Sequence, residues 1–335
     1  MLHKNKIHKY YIGLDIGGTK CSVVLGDELF QLYEKITFET SVARGYESIL
    51  KDFKKSIYSL FNNYNQKNLI AIGISCGGPL DSQKGIILSP PNLPGWDEVS
   101  IVDIFNKEFG VEVSLQNDAN ACALAEWLMG AGKGTRNMIF LTFGTGLGAG
   151  LILNSTLYEG TNDLAGEVGH IRLEDDGPVG FGKAGSFEGF CSGGGITQLA
   201  KSTVTKKLLN NQPVSFCSKL EMVKNLDAKI VATAAQSGDP VANEIIKVSA
   251  EHLGIGLAII IDILNPECIV IGSIYERNEN LFKPEVEKVL NKEVIPGAMK
   301  VCRILPAKLG ESIGDYAALC VAIYKNSLYK NRRDG

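Results

Sequence analysis

Short apolar runs split by glycine turns recur along this chain. Tyr11, Ile12 and Leu14 precede Gly17-Gly18-Thr19, and Cys21, Val23, Val24 and Leu25 follow it. Met138 to Leu141 precede Gly144-Thr145-Gly146, and Leu151 to Leu153 follow. Each pattern predicts a β-hairpin. From Tyr46 to Tyr64 the spacing changes: Ile49, Leu50, Phe53, Ile57, Leu60 and Phe61 recur at helical intervals with lysines opposite, an amphipathic helix. Leu69 to Ile74 reads as a buried strand, followed by the loop Ser75 to Asp81. A helix over 102–109, a strand over 111–115 and an alanine-rich helix over 121–129 come next. Ser192 to Ile196 opens a polar, helical region reaching about Asp239. A long helix over 241–264 stops before Pro266. Cys268 to Ser273 reads as a strand ending in a small-residue turn. A last helix follows Leu309-Gly310-Glu311 as far as Tyr324, and the polar tail from Lys325 is expected to fray. Strands alternating with helices imply an α/β organisation.

The length, 335 residues, allows two lobes, and 45% hydrophobic with 21% charged residues is ordinary for a soluble globular chain. A net charge of −3 supplies no electrostatic reason to bind nucleic acid. The basic start, His3 to Lys9, is expected to be a solvated tail, because Asp15 interrupts the apolar run that a leader would need. No apolar run reaches the length of about 18 residues that a membrane span requires. The eight cysteines form no CxxC pair, and several sit inside apolar runs, which points to a reducing, cytoplasmic setting.

The glycine turns carry the chemistry. Glycine leaves no Cβ between backbone N–H groups and an incoming anion, so two such turns suggest a clamp for one polyanion, read as a nucleoside triphosphate. Two familiar phosphate motifs fail. Gly130-Ala131-Gly132-Lys133-Gly134-Thr135 lacks Ser or Thr directly after the lysine, as a P-loop requires. Gly144-x-Gly146-x-x-Ala149 leads into the apolar run Gly150-Leu151-Ile152-Leu153, where a dinucleotide fingerprint would open a helix. Asp15, at the mouth of the first turn, is costly in a core and useful beside Mg²⁺ or phosphate. Gly77-Gly78 stands beyond a strand's carboxyl end, where α/β sheets bind ligands. The proline-rich loop Ser89 to Trp96 offers Asn92 and Trp96 to a polar ligand with apolar faces. Asn117, Asp118 and Asn120 crowd one strand end, more polar groups than a helix cap needs. Glu167 and His170 lie three apart among glycines and suit hydroxyl recognition, and the glycine-rich stretch Gly177 to Glu188 delivers another acid. A tight hairpin without ligand, and a simple helix cap, remain the alternative readings of these segments.

Taken together, Asp15-Ile16-Gly17-Gly18-Thr19-Lys20, Asn92-Leu93-x-x-Trp96, Asn117-Asp118-Ala119-Asn120, Gly144-Thr145-Gly146-Leu147-Gly148 and Gly166-Glu167-x-Gly169-His170 resemble the ROK family of sugar kinases and their regulator relatives, from about Tyr11 to Tyr324. The resemblance implies an actin-like (ribonuclease-H-like) two-lobed ATPase fold with a cleft between lobes, in a homodimer. The expected lobes are residues 1–120, with the helix of about 310–330 packing back on them, and 121–309. By the same resemblance Asp15, Gly17, Gly18, Thr19, Lys20, Gly144, Thr145 and Gly146 hold ATP, with Mg²⁺ near Asp15 through water. Gly194 and Gly272 would lie near the nucleoside. Gly78, Asn92, Asn117, Asp118, Glu167, His170 and Glu188 would meet the sugar, with Asp118 matching the catalytic base.

One departure stands out. Many members place three cysteines in the glycine loop, which with a histidine bind a structural zinc. Val179, Phe181 and Ser186 occupy those places here, so no zinc is expected, and Phe181 and Phe187 are expected to hold the loop by apolar packing. The implied activity is phosphoryl transfer from ATP to a hexose hydroxyl, position 6 with glucose as default. N-acetylmannosamine, N-acetylglucosamine, fructose and allose are the alternatives. A transcriptional repressor is the main rival, weakened by only about ten residues preceding the first hairpin, too few for a DNA-binding module. A catalytically dead sugar sensor is the second.

Overall fold

The computed structural model describes residues 8–333; most of the basic start, His3 to Ile7, lies outside them. The chain divides into two compact units, one of residues 1–129, 159–165 and 311–335, the other of residues 130–158 and 166–310.

The first unit is built on a five-stranded sheet. Its strands are β1 (Tyr10–Ile16), β2 (Lys20–Asp27), β3 (Leu32–Glu39), β4 (Leu69–Cys76) and β5 (Glu112–Asn117), in the order β3-β2-β1-β4-β5. β1, β2 and β3 are antiparallel neighbours, whereas β4 and β5 run parallel to β1. Strand side chains alternate between faces. Ile12, Leu14 and Ile16 join one core with Ile49, Phe53 and Ile57 of α1 (Tyr46–Leu60) and with Phe105 of α2 (Ile101–Phe109). Tyr11, Val24 and Ala71 turn to the other face, against Leu319 and Ala322 of the C-terminal helix, Ile313–Arg333. There the helix backbone lies directly on the sheet. A Cβ on Gly73 would stand 2.3 Å from the Ala318 carbonyl oxygen and from the Ala322 nitrogen, so this strand position admits only glycine.

The expected boundary at residue 120 falls inside α3 (Asp118–Leu128), which stays whole with the first unit. Its Trp127 ring meets Tyr324 edge-on, with centroids 6.2 Å apart. The expected fraying from Lys325 is also overturned. The C-terminal helix continues to Arg333, because Lys325 Nζ lies 2.6 Å from Glu159 Oε1 and Asn326 Nδ2 donates to Glu112 at 3.1 Å. The segment 159–165 belongs to this unit as well, with Asp163 accepting from the Ser82 N–H and hydroxyl at 2.8 and 2.6 Å.

The second unit repeats the same topology. β6 (Met138–Phe143), β7 (Leu147–Leu153), β8 (Thr156–Tyr158), β9 (Cys268–Ile271) and β10 (Arg303–Pro306) lie in the order β8-β7-β6-β9-β10. Three antiparallel strands again lead to two that run parallel to β6. Its main helices are α4 (Gly193–Leu209), α5 (Ala228–Gln236), α6 (Pro240–Leu264) and α7 (Glu279–Glu293). The ends of α6 follow local chemistry. Asp239 caps it by accepting from the Val241 and Ala242 amides, Pro240 starts it, and Asn265 ends it in the left-handed region before Pro266. Two copies of one strand order, each with helices, make the actin-like ATPase fold.

All eight cysteines are free thiols, seven of them buried and Cys122 half-buried. No helix among the described residues is long and apolar enough to cross a membrane.

Candidate active site

In the first unit the β1–β2 turn is closed by the Gly17 amide donating to the Lys20 carbonyl at 3.2 Å. Thr40, at the end of β3, pins it: its hydroxyl donates to the Gly17 carbonyl at 2.6 Å, and its amide to the Thr19 carbonyl at 3.0 Å. Thr19 and Lys20 are exposed at the tip. The turn touches the loop carrying Asn92, since a Cβ on Gly18 would meet the Asn92 carbonyl oxygen at 2.8 Å. A Cβ on Gly77 would lie 3.7 Å from Asn92 Oδ1 and 3.9 Å from Asp118 Oδ2, and one on Gly78 3.4 Å from Asn117 Nδ2. Five residues singled out in the sequence as sugar or phosphate ligands are therefore linked in one run of contacts: Asn92 and Asp118 flank Gly77, Asn117 lies beside Gly78, and Gly18 lies beside Asn92.

Asp118 is the first residue of α3, not part of a loop before it. Asn117 is the cap, its Oδ1 accepting from the Ala119 amide at 2.9 Å, and Asp118 Oδ1 accepts from the same amide at 2.7 Å. The third polar residue, Asn120, is buried and donates to Gln116 Oε1 at 3.1 Å, so it faces inward. Asp118 keeps solvent contact, yet the protein around it restricts its hydration and holds its carboxyl above the usual carboxylate range, against the opposing pull of the Ala119 N–H. Asp15 is pushed up to about 7, first by burial and then by the nearby carboxylates of Asp118 and Asp315, while Lys35 and Lys20 pull it down. A Cβ on Gly314 would stand 3.3 Å from Asp15 Oδ2.

This excess of negative charge is what a divalent cation relieves, so the donor chemistry fits Mg²⁺. Among the described residues no group of three or more His, Cys, Asp or Glu is placed to hold a metal by itself. The fit is therefore to a cation that arrives with phosphate oxygens and water as its other ligands. Two neighbours of Asp15, Asp315 and its ion-pair partner Lys35 at 2.6 Å, escaped sequence reasoning, because they lie far apart in the chain and belong to no motif.

Trp96 corrects an expectation. It is fully buried in the first unit's core, with its ring 6.1 Å from that of Tyr46, and offers no face to a ligand. Its role is to fix the loop that exposes Asn92.

In the second unit the β6–β7 turn is closed by the Gly144 amide donating to the Gly146 carbonyl at 3.1 Å. β7 continues past Ala149 as strand, which rules out the dinucleotide motif, and the Gly132 carbonyl accepts from the Thr135 hydroxyl at 2.6 Å in an ordinary turn. The N-terminus of α4 abuts the β6–β7 turn, with the Gly193 amide donating to the Gly144 carbonyl at 2.8 Å and a Cβ on Gly194 3.8 Å from the Thr145 carbonyl oxygen. Uncommitted N–H groups and a positive helix end beside a glycine turn favour an anion. Gly272 follows β9, and its amide donates to Leu141 at 3.0 Å. The next residue, Ser273, held at a φ of 59°, brings its Oγ within 3.5 Å of a Cβ on Gly144, a contact no motif announced.

Glu188 lies in the short helix Phe187–Phe190 and its Oε2 accepts from the Leu147 amide at 3.0 Å. Glu167 leads into the single 3₁₀ turn Val168–His170, and its carbonyl accepts from the His170 amide at 3.1 Å. Gly169 between them packs so closely that its Cβ would lie 3.2 Å from Glu188 Cβ. Glu167 and His170 are exposed and Glu188 is half-buried, so all three reach solvent from one corner of this unit.

The glycine loop is held by backbone and core contacts. Ser186 is buried and caps the short helix by accepting from the Gly189 amide at 3.1 Å. Phe187 is fully buried against Gly256, as expected of an apolar anchor. Phe181 is not: it is 74% exposed at the tip of the loop, with its ring edge-on to His170 at 5.2 Å. Four residues are too few to bury both ends of this hairpin, Val179–Gly180 with Lys183–Ala184, and the tip stays outside.

The profile of the ROK family matches residues 11–324. A glucokinase of Thermotoga maritima is 31% identical, over 92% of this chain and 96% of its own length. A xylose repressor of Caldicellulosiruptor bescii is 30% identical, over 87% of this chain and 72% of its own. Among solved structures, a ROK family glucokinase from Streptomyces griseus in complex with glucose and AMPPNP is 29% identical with a TM-score of 0.73, covering 93% of this chain and 99% of that one.

Proposed function

Because the chain belongs to the ROK family, we propose that it is a sugar kinase that moves the γ-phosphoryl group of ATP to a hexose hydroxyl, position 6, with glucose as the default acceptor. The observation that carries this reading is Asp118 at the start of α3, raised above the usual carboxylate range and grouped with Asn117, Asn92 and the Gly17-Gly18 turn. A carboxylate whose proton affinity is raised accepts a hydroxyl proton more readily, which contributes roughly 10²–10⁴-fold to such a step. The glucokinase relative and the glucose and AMPPNP complex support the same assignment.

In this mechanism Asp118 takes the proton as the sugar oxygen attacks the γ-phosphorus and the bond to ADP breaks. Asn92, Asn117, Glu167, His170 and Glu188 orient the sugar through its hydroxyls. A site built for those hydroxyls rejects sugars lacking them, since its own polar groups would go unpaired. The Gly17-Gly18 and Gly144-Thr145-Gly146 turns offer N–H groups to phosphate oxygens, and Gly194 and Gly272 line the nucleoside. Mg²⁺, beside Asp15 through water, would neutralise phosphate charge. Positioning and charge stabilisation then supply most of the rate.

The test is ADP release with Mg-ATP across hexoses and N-acetylhexosamines, with Asp118→Asn as control. Turnover on one sugar, lost in the variant, supports the kinase and names its substrate. The xylose-repressor relative favours a second reading, a sugar sensor without turnover. Sugar binding with no ADP release from any of these sugars would select it.

A further inference from the structure

Gln116, directly before the Asn117-Asp118 pair, is fully buried, and both ends of its amide are bonded. Its Oε1 accepts from the Asn117 amide at 3.0 Å and from Asn120 Nδ2 at 3.1 Å, across the first turn of α3. Its Nε2 donates to Glu159 Oε1, in the segment 159–165. Lys325 Nζ, from the C-terminal helix, lies 2.6 Å from that same Glu159 oxygen, with both side chains largely shielded from water.

A glutamine amide has nearly the same shape when its oxygen and nitrogen are exchanged, so packing alone does not choose its orientation. Here the partners choose. An ionised carboxylate only accepts, so Glu159 draws the Gln116 nitrogen, and the oxygen is left for Asn117 and Asn120, both donors. Reversed, Gln116 would set its NH₂ against the fixed Asn117 N–H and its oxygen against a carboxylate, leaving buried groups unpaired at the cost of at least one hydrogen bond. Lys325 balances the charge that makes this selection. We propose that Lys325, Glu159 and Gln116 form a positioning relay that holds the start of α3, and so aims the Asp118 carboxylate at the acceptor hydroxyl. All three are positioning residues. The proposal rests on the kinase reading for its effect on turnover, though not for its effect on the helix start.

The experiment pairs kinetics with amide hydrogen exchange in the full chain. Glu159→Gln, an isosteric change that gives the acceptor a donor of its own, and Lys325→Met should each lower kcat about 10-fold while KM for sugar and for ATP stays unchanged. Both should speed exchange at the Asn117 and Ala119 amides, and Lys325→Arg should restore both readouts. Unchanged exchange at these amides in Glu159→Gln and Lys325→Met overturns the proposal. So does faster exchange with unchanged kcat, which would make the relay merely structural. A chain that phosphorylates no sugar would sink the kinase reading instead, and exchange at Asn117 would still decide whether the relay holds the helix.

Discussion

The Glu188 carboxylate and the Leu147 amide meet at 3.0 Å. An acid read as a sugar ligand is thus bonded to the turn read as a phosphate ligand, within one unit, and a Cβ on Gly146 would lie 2.9 Å from the same oxygen. Glu188→Ala frees that amide and removes the acid together. A charge-assisted hydrogen bond contributes about 1.5–3 kcal/mol. KM for sugar should rise at least about 10-fold, and KM for ATP should rise with it. A variant in which only the sugar constant moves would mean that the turn does not depend on Glu188.

Asp118→Asn keeps the shape of the side chain and its bond to the Ala119 amide, and removes the base. Sugar and nucleotide binding by calorimetry should stay near wild type, while ADP release falls by roughly 10²–10⁴-fold. Turnover close to wild type would remove Asp118 from its assigned role.

Gly18 has no room for a side chain beside Asn92, whose carbonyl oxygen would sit 2.8 Å from a Cβ and whose own Cβ would sit at 3.0 Å. Both neighbours are stiff, since Leu93 and Trp96 anchor the Asn92 loop in the core. Gly18→Ala should therefore push turn and loop apart, at about 1–3 kcal/mol. The measurable result is a raised KM for both substrates with a modest fall in melting temperature.

Phe187 anchors the glycine loop, fully buried against Gly256. Removing a buried phenylalanine costs about 3–5 kcal/mol. Phe187→Ala should lower the melting temperature clearly and raise KM for sugar through Glu188, its neighbour in the chain. A chelator added to the nucleotide-free protein should leave the melting temperature unchanged. A drop with chelator would show a structural metal after all.

Glu267 supplies a pH-dependent share of stability. Its carboxylate accepts from the Asn137 and Arg136 amides at 2.8 and 2.5 Å, and these bonds hold its carboxyl below the usual range. A lowered folded value means that the stabilisation is present above the ordinary carboxylate value and fades as pH falls through the lowered one. Glu267→Gln mimics the protonated state. It should melt earlier than wild type at neutral pH, and the gap should start to narrow once pH falls below the ordinary carboxylate value of about 4.3. A gap that persists in acid would mean that the amides do not depend on the charge.

Local chemistry determined much of this protein from the sequence alone. The two glycine hairpins, the helix from Tyr46, the stop at Asn265-Pro266 and the strand leading to Asn117 are set by periodicity, caps and turns within a few residues of each position. The candidate ligands could be named because each sits at a strand end or a glycine turn, where backbone groups are left free for something else. Tertiary structure decided what depends on partners far along the chain. Trp96 turned into the core because α1 supplies Tyr46 beside it, and Phe181 stayed outside because its hairpin is too short to reach the core. The tail from Lys325 became helix because Glu159 and Glu112 hold it, and Gly73 in β4 is glycine because the backbone of the C-terminal helix lies upon it. Asp315, far along the chain but folded beside Asp15, raises it, and Glu159 reaches Gln116 in the same way. Such long-range charges and hydrogen bonds carry no local periodicity, so only the folded chain brings them together.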